Sequence, residues 1–393
     1  MPLLESPLPS RRDLFTLAAQ LGTGAAVAAL WPADLSAQSL AGKHAGLKAL
    51  STRPPDYETP VALLDSLITA NDRFYVRCHM PVPAQTAEAG WTLVLDGEVN
   101  APLSLSVAEL RQLPETSVTV TLECAGNGRA FFDPPVAGIQ WRKGAVGTAK
   151  WTGVRVADVL KKAGVKAGAT HLWVSGADRP LGTQPAFVRQ VPMPKASHPD
   201  TIIAWAMNDQ PIPAAHGAPL RLVVPGWEGA YAIKWLNKIT VATKEHDGFW
   251  VATGYRYPTR RVAPGAAVDP KDTAPLTGLV VKSLITAPVD GTVLPPGKIT
   301  VAGFAWAGEA EITRVEVSTD SGATWQPARL TGSAVKYAWR RFEHTFEATR
   351  QETHTILSRA TDATGHVQPM VPQWNPSGYL WNAPDQIRIE VKA

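Results

Sequence analysis

The chain has 393 residues, 45% of them hydrophobic and 18% charged, with a formal net charge of +4. That balance belongs to a globular protein rather than a disordered one, and the length suggests two domains at a prior of about 150 residues each. Two cysteines, Cys78 and Cys124, exclude a disulfide framework, CxxC zinc sites and CxxCH haem attachment.

No run of five or more basic residues occurs, which argues against nucleic-acid binding. In chain order, Ser10-Arg11-Arg12-Asp13-Leu14-Phe15 precedes a mostly apolar stretch over 17–31. Paired arginines before an Ala/Gly-rich core read as a twin-arginine export signal over residues 1–37. The apolar core is shorter than the roughly 20 residues a membrane span needs. No later segment is long and apolar enough to cross a bilayer. The mature chain is therefore expected in the periplasm, exported folded and loaded with a cofactor, with no membrane span.

Residues 38–70, with Pro54-Pro55 and Pro60, read as irregular. Over 71–255 strands and short helices mix: 91–99, 118–123 and 220–224 look like strands, while 106–113 and 156–163 carry helical spacing. Residues 256–275 hold Pro, Ala and Arg without periodicity and read as an extended linker. Over 276–393 the pattern is all strand. Residues 314–318, 354–360 and 386–391 alternate, and Asp320-Ser321-Gly322 supplies a hairpin turn. The expected fold class is α+β, a mixed α/β domain followed by an immunoglobulin-like β-sandwich. That second domain shows no cluster of chemical residues, so its expected role is support or subunit contact.

No GxSxG, HExxH, P-loop or helix-opening GxGxxG is present. What remains is three cation-bearing segments around the cysteines: Arg77-Cys78-His79; Glu123-Cys124-Ala125-Gly126-Asn127-Gly128-Arg129; and His216-Gly217-Ala218-Pro219-Leu220-Arg221, followed by Lys234-Trp235. Taken singly, each has a plain explanation. A cysteine at a strand end is most often a small buried hydrophobe, and the histidines and cations are more often structural than ligating. The sharper alternative is a thiolate-bound metal in a cationic pocket, because soft sulfur holds such metals and arginines hold oxyanions. Spacing alone does not choose between them.

Together these segments resemble the sulfite oxidase family of molybdenum enzymes. Cys-Ala-Gly-Asn-x-Arg after a strand, Arg-x-His-x-Pro-Val-Pro upstream and His-Gly-x-Pro-x-Arg-x-x-x-Pro-Gly downstream carry the likeness. The resemblance implies a molybdopterin-binding domain, then an immunoglobulin-like domain often used for dimerisation. It also implies molybdenum-molybdopterin as cofactor, with Cys124 as the protein thiolate on the metal. Arg77 and Arg129 would face the substrate anion, with Trp141 lining the pocket and Tyr255 as the active-site tyrosine. His79, His216, Arg221 and Lys234 would hold the pterin and its phosphate.

Two departures stand out. Cys78 replaces an asparagine of many relatives and reads as a packed residue. Ser377, in Trp374-Asn375-Pro376-Ser377-Gly378-Tyr379, stands where some relatives place a substrate-facing arginine. The implied activity is oxidation of sulfite to sulfate, with electrons passed to a c-type cytochrome on a separate chain. The implied assembly is a homodimer or a heteromer with a cytochrome subunit. The rivals are a periplasmic sulfoxide reductase of the same fold, whose relatives lack the appended sandwich, and a cofactor-free binding module.

Overall fold

Strands carry most of the fold because short β-branched and apolar runs are interrupted repeatedly by Gly and Pro. The computed structural model describes residues 40–393, so the export signal read over 1–37 lies outside the described residues. Only four α-helical segments occur among them, the longest being Val156–Ala163. The first half is therefore mostly β, not the mixed α/β domain expected.

Val156–Ala163 buries Val156, Val159, Leu160 and Ala163, the spacing of one helical face, and stops at Gly164 in the left-handed region. The helix expected over 106–113 is a single turn, Val107–Leu110, opened by a Ser106–Glu109 capping box. Pro114 just beyond disfavours continuation.

The segment read as irregular over 38–70 instead forms two strands, Lys48–Thr52 and Pro55–Glu58, which pair with each other, and the second also pairs with Val76–Arg77. Its polar residues hid this: Asp56 and Glu58 are buried without any alternation to announce them. Two five-stranded sheets follow. In one, Glu115–Glu123 pairs with Val146–Arg155, which pairs in turn with Ile202–Met207. Arg221–Val223 joins the far side of Ile202–Met207. In the other, Leu236–Ala242 lies parallel to Thr92–Gly97 and antiparallel to His171–Gly176. The ends of the 256–275 segment pair with each other, Arg256–Pro258 against Thr273–Pro275, and close a loop instead of an extended linker.

Beyond residue 281, a four-stranded and a five-stranded sheet face a shared core. Ile285, Val301 and Phe342 from one sheet meet Val315, Ile356 and Ile389 from the other. The described residues, 40–393, pack as one compact unit. Trp306 and Trp339 from the later sheets are buried against Val146 and Leu64 of the earlier half.

Candidate active site

Strand Glu115–Glu123 ends by delivering Cys124 into a tight turn. The Cys124 amide donates to the Ala145 carbonyl at 2.9 Å, and its own carbonyl accepts from the Asn127 amide at 2.7 Å. Glu123, one residue earlier, is clamped by the second half of the chain. It accepts from Lys282 Nζ at 2.6 Å and from Trp306 Nε1 at 2.9 Å, with Asn127 Nδ2 completing its partners at 2.9 Å. The thiol is 9% exposed. Burial pushes its pKa up, while Arg77 and Arg129 pull against that shift.

Arg129 follows Gly128 and folds back over the turn. Its Nε donates to the Ser377 carbonyl at 3.1 Å and its Nη1 to the Ile139 carbonyl at 2.9 Å. The guanidinium lies 5.4 Å from the Tyr379 ring centre. A Cβ on Gly126 would stand 2.6 Å from this guanidinium, so only glycine leaves it room.

Two cavities meet at Cys124. The inner one, of about 690 Å³, is lined by Tyr75, His216, Arg221, Lys234 and Trp235 among others. The outer one opens past Gly126, Arg129, Ile139, Trp250, Ser377 and Tyr379. Arg77, His79, Cys124 and Tyr255 line both and form the waist between them.

The inner cavity holds buried cations with little to neutralise them. Arg221 donates only to backbone carbonyls, those of Ala232 at 3.2 Å and His216 at 3.0 Å, and burial pushes its pKa down to about 10. Lys234 donates to Cys78 Sγ at 2.8 Å and to the Ala215 carbonyl at 3.0 Å, and burial lowers its pKa too. Uncompensated buried charge is unfavourable by several kcal/mol. These residues therefore suit an anionic ligand seated beside a soft thiol. No group of three or more His, Cys, Asp or Glu suited to a metal occurs among the described residues.

At the waist, Tyr255 Oη and His79 Nε2 share a hydrogen bond of 2.6 Å. Burial holds His79 well below its ordinary pKa, so it is neutral, and raises that of Tyr255, so the phenol keeps its proton. Tyr255 adopts a left-handed backbone with φ 54°, unusual for a bulky residue and a feature that concentrates at functional sites. Arg77 pairs with buried Asp56 at 3.2 Å and also donates to the Cys78 carbonyl.

Eight of the nine residues singled out in the sequence come together here. Arg77, His79, Cys124, His216, Arg221, Lys234 and Tyr255 line the inner cavity, and Arg129 lines the mouth. Trp141 does not line either one. It is 0% exposed and packs edge-on to Tyr75 at 6.3 Å, because its indole fills the core beneath that ring. Cys78 is packed as expected, although its sulfur receives Lys234.

Other residues carried little sequence signal. Phe187 stacks on His79 at 4.1 Å. Lys43 reaches His216 Nε2 at 2.9 Å, and Tyr379 stacks on Tyr255 at 5.5 Å. Arg189 had a faint signal, as a charge inside an apolar run. It lies 4.8 Å from the Tyr255 ring centre. The second half of the chain therefore does more than support the first: Ser377 and Tyr379 help to build the site.

Residues 79–250 match the family described as oxidoreductase molybdopterin binding domain, and 274–392 the Mo-co oxidoreductase dimerisation domain. Fold and site thus define a molybdopterin-binding oxidoreductase with a molybdenum cofactor. The chain is 37% identical to sulfite oxidase of Gallus gallus over 360 residues, covering 87% of this chain and 77% of the relative. Identity to mitochondrial sulfite oxidase of Rattus norvegicus is 36% over 368 residues, 89% of this chain but 66% of that relative's length. The crystal structure of the sulfane dehydrogenase SoxCD from Paracoccus pantotrophus is similar with a TM-score of 0.76. Its identity is 28%, over 87% of this chain and 88% of that one. The chain belongs to the sulfite oxidase family.

Proposed function

We propose that this protein oxidises sulfite to sulfate in the periplasm and passes the electrons singly to a c-type cytochrome on another chain. One observation carries the reading: Cys124 stands in the wall common to a cation-lined inner cavity and an arginine-bearing mouth. When bound, the molybdenum cofactor supplies the two-electron oxidation and the oxygen transfer. Cys124 holds it by one thiolate, and His216, Arg221 and Lys234 line the chamber for its anionic remainder.

Arg77 and Arg129 hold the substrate anion at the waist and mouth by charge-assisted hydrogen bonds. Arg129 is well suited, since two carbonyls fix its Nε and Nη1 and leave Nη2 for the substrate. Tyr255 and His79 hold a proton between Oη and Nε2 where the water that supplies the oxygen must lose its own. Residues 276–393 are read as an immunoglobulin-type sandwich that mediates a homodimer or a heteromer with a cytochrome subunit. No helix among the described residues is long and apolar enough to cross a membrane.

The test is sulfite-dependent reduction of cytochrome c by molybdenum-loaded full-length protein, with ferricyanide as a second acceptor. Rapid reduction is expected. Failure with both acceptors overturns the reading and directs assays to sulfoxide reduction.

A further inference from the structure

The mouth outside Cys124 is wider than a sulfite ion requires and mixes polar with apolar lining. It spans about 910 Å³ with the open solvent at its entrance, and Ala137, Ile139, Trp250, Pro376 and Tyr379 form part of its wall. No carboxylate lines it. Its two charges, Arg77 and Arg129, share that lining, and the Arg129 guanidinium lies 5.4 Å from the Tyr379 ring centre. Arg77 is matched there by buried Asp56, and Arg129 donates to two backbone carbonyls. Against Arg129 the chain places Ser377, which brings a carbonyl and a short hydroxyl but no third cation. A small hydrated anion gains nothing from an apolar wall, whereas hydrocarbon removed from water against that wall is favourable. Guanidinium groups and apolar side chains line one mouth, a combination that suits an amphiphilic monoanion with its head on the guanidinium groups and its hydrocarbon on Ile139, Trp250 and Tyr379.

We propose that the protein also oxidises organic sulfinates, R–SO2−, to the corresponding sulfonates, R–SO3−. This rests on the sulfur-oxyanion reading above and widens its substrate class. Sulfinate sulfur, like sulfite sulfur, carries a lone pair, and that pair forms the new S–O bond. Water supplies the oxygen and releases two protons to solvent. The sulfur loses two electrons, which pass to two equivalents of a one-electron acceptor, and the C–S bond stays intact. Trp250 and Tyr379 lie on the wall where R would sit.

The experiment compares sulfite, methanesulfinate and benzenesulfinate as donors to ferricyanide, using molybdenum-loaded full-length protein. Benzenesulfonate is identified as product by chromatography, and its binding is measured separately by calorimetry. Benzenesulfinate is expected to be oxidised with a KM about tenfold below that of methanesulfinate, the scale of one apolar group placed in a fitting pocket. Ser377→Arg, which adds a third cation beside Arg129, is expected to lower the kcat/KM ratio of benzenesulfinate to sulfite by about tenfold. Normal sulfite turnover with no oxidation or binding of the aryl compounds overturns the inference and leaves the sulfite reading standing. Equal KM values for methyl and phenyl sulfinates overturn it as well, because the wall would then take no part. If neither sulfite nor any sulfinate is oxidised, the reading beneath it falls too.

Discussion

Glu123 and Glu228 share one buried patch but differ in their hydrogen-bond partners. Glu123 accepts from Lys282, Trp306 and Asn127. Glu228 is 1% exposed, and its Oε2 has no hydrogen-bond partner. Burial first, and the like charge of Glu123 second, push the Glu228 carboxyl well above its ordinary value of 4.5. Folded protein therefore holds a proton here that unfolded chain releases, and the folded state loses ground as pH rises above that ordinary value. Glu228→Gln, which removes the titration and keeps the shape, should leave Tm near wild type at pH 5. The variant should then become progressively more stable than wild type toward pH 8, by at most about 1.4 kcal/mol per pH unit. Thermal melts across that range check it; a difference that stays flat with pH would mean Glu228 is ionised when folded. At Arg129 the expectation is kinetic. Arg129→Gln keeps a donor but loses the charge, so KM for sulfite should rise more than kcat falls. Steady-state kinetics with an unchanged KM would place Arg129 off the substrate.

Two turns from opposite halves of the chain interlock at this arginine. In the turn after Asn375, Gly378 has φ 61°, and a Cβ there would lie 2.4 Å from Val136 and 2.8 Å from Arg129 Cγ. Gly378→Ala should therefore push the Arg129 stem aside, with a loss of about 1–3 kcal/mol of stability and a raised KM for sulfite. Denaturant melts paired with kinetics separate the two effects, and an unchanged KM would show that the turn does not position Arg129. The sequence located strands such as 354–360 and the cysteine turn with its cations, because alternation and a motif each leave a residue signature. It did not disclose that the later half reaches the site. Ser377 contributes a backbone carbonyl, which any residue type would offer, and Tyr379 is aimed by a turn that no periodicity encodes. Trp141 was misplaced for a related reason: a large aromatic beside a site reads the same whether it lines the pocket or fills the core under it. Asp56 and Lys43 escaped notice because their segment lacks alternation, and only pairing with Val76–Arg77 brings it inward.

Across the whole molecule a net charge of +4 is small, yet positive charge is concentrated at the centre. Arg221, Lys234 and Lys43 surround the inner cavity, and Arg77, Arg129 and Arg189 surround the waist and mouth. Against them stand Asp56 on Arg77, Asp178 in the lining of the inner cavity, whose field acts on Lys234, and Asp72, whose field acts on Lys43. Burial holds Lys43 down to about 7, which shows how unfavourable this region is for a further cation. A fold that gathers like charges away from water is held together less well until an anion joins them. Protein freed of its cofactor should accordingly melt lower than the loaded form, and added phosphate should recover part of the loss. Chloride at the same ionic strength should recover less, since phosphate accepts several hydrogen bonds from Arg and Lys at once. By linkage, phosphate at a hundredfold its dissociation constant contributes about 2.7 kcal/mol. Arg221→Met should blunt this response by removing a buried guanidinium from the lining of the inner cavity, and loaded protein should show little of it because the chamber is filled. Scanning calorimetry of the loaded, cofactor-free and Arg221→Met proteins in matched phosphate and chloride checks all three expectations. Equal stabilisation of loaded and cofactor-free protein by phosphate would locate the anion on the outer surface and remove the case for a charge-balanced chamber.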